Sequence, residues 1–263
     1  MTSEYLAKTH SLAGKIALVT GSARGIGAGI ALELGKKGAS VVVNYTSPSS
    51  ESKAEEVVKA IEAAGGKATL VKANVRDVDD IKYLAEETLK FGNGKIDILV
   101  NNAGVSYNKA LGDIDLEHYT SQYDINVRAP LFLTQALISS IQPGGRIINI
   151  SSVSARGGFA SQSVYGATKA ALEAMTRTWS NEFAQAKGIT VNAINPGPVE
   201  SDMWAAAGEQ LHKSVEGSIA MTPSGKRIGV PEDIAKIVGF LAEEGSRWVN
   251  GNVLCGNGGI MQL

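Results

Sequence analysis

Lys15-Ile16-Ala17-Leu18-Val19-Thr20-Gly21-Ser22-Ala23-Arg24-Gly25-Ile26-Gly27 is the stretch on which the fold turns. Residues 15–20 form a short apolar run, as expected of a strand covered on both faces. Gly21, Gly25 and Gly27 follow at once, and beyond them Ile26, Ile30 and Leu34 form one helical stripe. Strand, glycine turn and helix in that order give a binding site for an anion. The glycines let the backbone bend tightly, and a pyrophosphate can then approach the N–H groups at the helix start. The spacing differs from G-x-G-x-x-G but serves the same end. No Lys-Ser or Lys-Thr follows the glycines, which disfavours a P-loop nucleotidase.

Outward from this unit the same alternation continues. Further strands are expected at 39–45, 68–74, 96–101, 146–151, 189–195 and 252–255. Helices are expected at 25–37, 50–64, 77–91, 115–141, 161–186 and 231–243, with Pro231 suited to a first turn. Right-handed crossovers then give an α/β Rossmann-like, doubly wound seven-stranded parallel sheet of order 3-2-1-4-5-6-7, with helices on both faces. One domain is expected over 14–263 behind an N-terminal arm at 1–13. The pattern breaks at 200–230, after the carboxyl end of a strand, where a substrate lid would sit.

Bulk properties narrow the function. The chain has 263 residues, 44% of them hydrophobic, and a net charge of −1. That length supports one large core, and the composition is not that of a disordered chain. Near-neutrality argues against a nucleic-acid or polybasic membrane role. A single cysteine, Cys255, allows no internal disulfide and suits a reducing compartment, so a cytoplasmic location is expected. The start has no apolar signal core, and no apolar run is long enough to span a bilayer. His10, His118 and His212 form no ligand motif and read as surface or capping residues, so no metal is expected.

The second strand ends in Val43-Asn44-Tyr45-Thr46-Ser47, and no acid occurs between Glu33 and Glu51. An NAD site usually carries an acid there for the ribose 2′-hydroxyl. Arg24 lies at the positive end of a helix, where a cation is unfavourable unless an anion offsets it. A 2′-phosphate would do so, with Asn44, Tyr45, Thr46 or Ser47 as hydrogen-bond donors. The cofactor expected is therefore NADP(H).

Tyr165 and Lys169 stand four residues apart, on one face if the segment is helical. An ammonium beside a phenol favours the phenolate, so the pair can exchange a proton near neutral pH. Ser152 adds a hydroxyl that could hold a carbonyl oxygen. Alone, a Tyr and a Lys at this spacing would be a surface pair; the cofactor turn gives them a purpose.

Thr20–Gly27, Asn101-Asn102-Ala103-Gly104, Asn126, Ser152, Tyr165-x-x-x-Lys169 and Pro196-Gly197 resemble, in order and spacing, the short-chain dehydrogenase/reductase family. The match runs from about residue 14 to the end. Within the family, Val41-Val42-Val43-Asn44-Tyr45 and Lys72-Ala73-Asn74-Val75 look like fungal NADPH-dependent ketoreductases of polyketide metabolism, such as the hydroxynaphthalene and versicolorin reductases. The 3-oxoacyl carrier-protein reductases are also similar.

The resemblance implies a role for each matched position. Tyr165 is the general acid/base, Lys169 lowers its pKa and holds the nicotinamide ribose, and Ser152 orients the substrate carbonyl. Asn126 holds a water that relays protons to Lys169. Gly21, Arg24, Gly25, Ile26 and Gly27 cradle the phosphates. Asn101, Ala103 and Gly104 line the adenosine ribose, and Asn74 and Val75 meet the adenine. Pro196, Gly197, Val199 and Ser201 border the nicotinamide. From their residue types, and not from the resemblance, Phe159, Met203 and Trp204, with Ser152, would face the substrate, a small-molecule ketone of apolar or aromatic character. Family members often form homo-oligomers, tetramers or dimers, through the helices near 115–141 and 161–186.

The function expected is NADPH-dependent reduction of a ketone. Alternatives are an NAD(P)-dependent alcohol or steroid dehydrogenase, a non-catalytic dinucleotide-binding protein, and a non-redox cyclase recruited from the same fold. Arg24 and the absent acid speak against the NAD enzyme, and the full set of Asn126, Ser152, Tyr165 and Lys169 speaks against a pure binder.

Overall fold

The structure is a computed structural model that describes residues 10–262. Of the expected arm, residues 1–9 lie outside the described residues. Its end is anchored: Leu12 is buried and its N–H donates to the Lys37 carbonyl.

The strands are β1 (Ile16–Val19), β2 (Ser40–Tyr45), β3 (Lys67–Lys72), β4 (Ile96–Asn101), β5 (Ile141–Ile150), β6 (Thr190–Ile194) and β7 (Val253–Leu254). They form one sheet of order β3-β2-β1-β4-β5-β6-β7, parallel throughout, as expected from the alternation. Successive residues of each strand point to opposite faces, and both faces are apolar. Val19, Val41, Val43, Ile98 and Val100 pack beneath helices α1 (Gly25–Lys36), α2 (Glu51–Ala63) and α9 (Pro231–Ala242). Leu18, Val42, Leu99 and Ile147 pack on the other side, against α3 (Val78–Phe91), α5 (Ala129–Leu137) and α6 (Ser163–Lys187).

Three boundaries depart from expectation. The helix expected over 115–141 is interrupted: α4 (Leu116–Tyr123) runs into a π-helical turn, Asp124–Arg128, before α5 begins. Pro130 has no N–H to take the Asn126 carbonyl in α-helical register, so the hydrogen-bond ladder slips there. β5 starts at Ile141 rather than Arg146, because a bulge carries Pro143, Gly144 and Gly145 between the pairs Ile96–Ile141 and Ile98–Arg146. The segment at 200–230 holds two helices, α7 (Asp202–Ala205) and α8 (Glu209–Ala220), that Gly208 and Gly217 hid from the apolar pattern. Among the described residues no helix is long and apolar enough to cross a membrane.

Candidate active site

Tyr165 and Lys169 lie one turn apart on α6 and are both buried, at 8% and 4% exposure. They stand where the carboxyl ends of β4 and β5 meet the helix. The Lys169 Nζ is 5.8 Å from the centre of the Tyr165 ring. It donates to the Ile150 carbonyl, the last residue of β5, at 2.8 Å. Ser152 follows two residues later, and its Oγ accepts from the Ser154 N–H at 3.1 Å.

A buried carboxylate clamps this strand end to the helix. Glu173, one turn beyond Lys169 on α6, accepts from Ser151 Oγ at 3.0 Å, Asn195 Nδ2 at 3.1 Å and Arg156 Nε at 2.8 Å. Asn195 also donates to the Ser152 carbonyl at 2.8 Å. The residues that flank Ser152 are thereby tied to the helix that carries Tyr165 and Lys169.

Burial dominates the acid–base chemistry. It pushes the Tyr165 phenol above its usual range, and the Ser152 hydroxyl offsets part of that rise. Burial also pulls the Lys169 ammonium down to about 8. The lowering of Tyr165 expected from Lys169 is not seen: burial raises the phenol, and what opposes the rise is the Ser152 hydroxyl. A raised phenol keeps its proton at neutral pH, which is the state a donor needs.

Asn126 sits in the π-helical turn, 1% exposed. Its Oδ1 accepts from the Val105 N–H at 2.9 Å, and its Nδ2 donates to the Val105 carbonyl at 2.9 Å and to Thr168 Oγ1 at 3.0 Å. It joins the loop after β4 to α6 immediately before Lys169. Gly104, in that loop, comes so close that a Cβ there would stand 3.2 Å from Asn126 Oδ1 and 3.3 Å from Lys169 Nζ. Among the described residues the buried Lys169 ammonium makes one hydrogen bond, so two donors remain for a hydroxyl-bearing group.

The glycine turn is built as expected. Gly21 and Gly25 hold φ of +62° and +55°, and a Cβ on Gly27 would collide with the Gly21 carbonyl. No side chain caps α1, and its first turn carries no acid. Its leading N–H groups suit a pyrophosphate. Asn102, which lies within the sequence motif but is assigned no role by it, staples this turn: Nδ2 donates to the Thr20 and Gly21 carbonyls at 2.8 and 3.2 Å.

Several expected cofactor residues are committed elsewhere. Asn44 is 1% exposed; its Oδ1 accepts from the Gly21 N–H at 2.9 Å, and its Nδ2 points at the Tyr45, Val71 and Ala73 carbonyls. It holds the glycine turn to the sheet and has no donor left for a phosphate. Tyr45 is buried and donates to Glu51 at 2.8 Å. Thr46, just past the strand, is exposed and remains as a hydroxyl donor, whereas the Ser47 hydroxyl is shared with Ser49 and Ser50 at 2.8 and 3.2 Å and reaches a phosphate only by giving up one of them. Asn101 turns into the core, where Nδ2 donates to Asn149 and Thr134, so only its backbone borders the cleft. Asn44→Asp is accordingly expected to lower the urea midpoint. A carboxylate facing three carbonyls loses the donor and strands buried acceptors, at about 1–3 kcal/mol each.

The other expected positions lie around the same cleft. Ala103 donates its N–H to Thr20 Oγ1, Val75 is buried, and Asn74 is exposed with Oδ1 on the Arg76 N–H. Ile26 is half-buried at the start of α1. Pro196 accepts from the Val153 N–H, and Gly197 approaches Asn257 and Ile260. Val199 bridges to Gly229, which closes the base of the 200–230 segment. Ser201 caps α7 by accepting from the Trp204 N–H.

On the substrate side Phe159 packs with Met261 beside Gly157. Met203 is 41% exposed, whereas Trp204 packs against His212 with the rings tilted and their centres 4.4 Å apart. His118 is buried beside Gln122, contrary to the surface role expected of it. Gln162, absent from the sequence-based list, links the parts. Ser154 Oγ donates to its Oε1 at 2.7 Å, its Nε2 donates to Asn108, and Asn108 donates to the Ala207 carbonyl of the 200–230 segment. No residue-type pattern marks such a chain, because its members come from three separate loops.

A family model described as enoyl-(acyl carrier protein) reductase matches residues 21–261. The short-chain dehydrogenase/reductase FrzI of a Cladobotryum species is 43% identical over 256 residues, covering 96% of this chain and 98% of that protein. The chain belongs to the short-chain dehydrogenase/reductase family.

Hydroxynaphthalene reductase arp2 of Aspergillus fumigatus is 44% identical over 249 residues, covering 91% of this chain and 90% of that protein. Among solved structures, a blue fluorescent protein from a metagenomic library, in complex with NADPH, superposes with a TM-score of 0.88 at 39% identity, over 96% of this chain and all of that one (100%). The angucycline C-6 ketoreductase LanV with bound NADP gives 0.87 at 36% identity, over 95% and 96%. This short-chain dehydrogenase/reductase thus gathers Asn126, Ser152, Tyr165 and Lys169 at the ends of β4 and β5, beside the glycine turn.

Proposed function

We propose that this short-chain dehydrogenase/reductase is an NADPH-dependent reductase of ketones, acting on an apolar or aromatic carbonyl of polyketide type. The observation that carries the reading is the buried Tyr165–Lys169 pair beside an uncapped helix start whose own first turn holds no acid and whose flanking Arg24 pairs with Asp202 from the 200–230 segment. The names of the hydroxynaphthalene reductase and of the NADP-bound angucycline ketoreductase point the same way. When bound, NADPH supplies the hydride. The chain's own residues do the rest.

Arg24, Thr46 and Ser47 hold the 2′-phosphate, and the N–H groups of Gly25, Ile26 and Gly27 take the pyrophosphate. Lys169 donates to the nicotinamide ribose, while Pro196, Gly197, Val199 and Ser201 border the nicotinamide. The Ser152 hydroxyl donates to the substrate carbonyl, and Tyr165 gives its proton to the same oxygen. Asn126 orders the Lys169 side of the site and the water that feeds it. Residues 200–230 cover the substrate, with Met203 and Trp204 on that segment and Phe159 opposite.

We place the enzyme in the cytoplasm and in secondary metabolism, and assign it a homo-oligomer. The exposed apolar residues Leu116, Tyr119, Leu131 and Phe132, on α4 and α5, support association through that face.

The test is loss of NADPH absorbance on a panel of aromatic, β-keto and aldehyde substrates. Turnover of none of them, with NADPH bound, would overturn the reading in favour of a binding protein. Arg24→Ala is expected to weaken NADPH about tenfold and hardly change NADH. A hydrogen bond to a charged group contributes about 1.5–3 kcal/mol, less at an exposed site. Equal losses for both cofactors would mean that Arg24 only supports the turn.

A further inference from the structure

Two cations meet at one carboxylate oxygen beside the end of β2. Arg24 Nη1 lies 2.7 Å from Asp202 Oδ2, and Lys53 Nζ lies 3.7 Å from the same atom. Arg24 comes from the glycine turn, Lys53 from the first turn of α2, and Asp202 from the first turn of α7. All three side chains are half exposed, at 60%, 50% and 58%. Thr46 and Ser47 follow the last residue of β2 and lead toward α2. The one other acid on that turn, Glu51, accepts from Tyr45 and forms no ion pair with Arg24 or Lys53 among the described residues.

We propose that Lys53 is a second cation of the 2′-phosphate site, and that Asp202 is an internal competitor that occupies both cations until the phosphate displaces it. The inference rests on the NADP(H) reading above and adds two residues to it. A phosphate monoester carries about −1.5 to −2 charges and three acceptor oxygens, against one charge on a carboxylate, so it wins both cations. The displaced pair is exposed and weakly held, so Asp202 costs the phosphate ligand about two- to fivefold in affinity. A ligand without the phosphate leaves Arg24 and Lys53 on Asp202 and is not penalised. Asp202 therefore lowers the margin by which the site prefers NADP(H) to NAD(H), and Lys53 raises it.

Isothermal titration of the full chain with adenosine 2′,5′-bisphosphate and with 5′-AMP reads this without turnover. Wild-type protein that binds both ligands equally would refute the NADP(H) reading itself. With that preference present, Lys53→Met is expected to weaken the bisphosphate about tenfold and leave 5′-AMP unchanged. Asp202→Asn is expected to tighten the bisphosphate about two- to fivefold, again without effect on 5′-AMP. In an Arg24→Ala background most of the Asp202→Asn gain should vanish. All three sites are on the surface, so the variants should fold. A Lys53→Met protein that keeps wild-type affinity, or loses it equally for both ligands, removes Lys53 from the site. An Asp202→Asn protein with unchanged or weaker bisphosphate binding removes the competitor.

Discussion

Tyr165→Phe is expected to reduce ketones about 10²–10⁴ times more slowly while binding NADPH almost as the parent does. The phenyl ring keeps the shape of a side chain that is 8% exposed and packed on α6, and only the transferable proton is lost. A positioned general acid contributes a factor of that order. Burial already holds the phenol above its ordinary range, so at neutral pH the parent carries the proton it must give. Single-turnover rates with saturating NADPH, together with a direct measure of NADPH affinity, separate the two effects. A Phe variant that retains most of the parental rate would remove Tyr165 from the chemistry.

Lys169→Met is expected to impair both cofactor binding and turnover and, at the same time, to stabilise the fold. The functional loss follows from the ammonium's two free donors and from its place one turn beyond Tyr165. Without that charge the phenolate is harder to form, so the pH–rate profile for alcohol oxidation should move to higher pH. If only cofactor affinity changes, Lys169 does not tune Tyr165.

The stability gain follows from the depressed ammonium. Its pKa is about 8 in the folded protein and about 10.4 in an unfolded chain. Between those values the unfolded state binds more protons, so the parent's stability rises with pH across that window. Below about pH 8 the buried charge exerts its full penalty, and Met removes it. Urea midpoints of Lys169→Met should therefore exceed the parent's most at pH 7, and the difference should shrink as pH approaches 10.4. A variant less stable than the parent at pH 7 would mean that the bond to Ile150 outweighs desolvation. Sites of this kind trade stability for activity.

The seven strands and the glycine turn were legible from local pattern, and the strand order from the crossover rule of the doubly wound fold. Ile16–Val19, Ser40–Tyr45 and Ile96–Asn101 are apolar on both faces, and such runs have few other folded uses than a covered parallel sheet. That Tyr165, Lys169 and Ser152 would come together was legible for a related reason. Their placement depends on spacing along one helix and on the end of the strand before it, and both are written in the order of residues.

What lay beyond that reading concerns where side chains point and what they meet. Asn44 and Asn101 stand at the strand ends where cofactor contacts are expected from the sequence, yet their carboxamides close hydrogen bonds inside the protein, because an unpaired amide there would be costly. The π-helical turn at Asn126 arises where Pro130 interrupts a helix that the apolar pattern carries straight through. Asn102 and Glu173, and the chain from Ser154 through Gln162 and Asn108 to Ala207, join segments distant in sequence. Residue order sets the period of burial, and with it the sheet. Which polar groups are spent within the fold and which remain for a ligand is decided only when the loops at the strand ends come together, since each hydrogen bond there takes its partner from another loop.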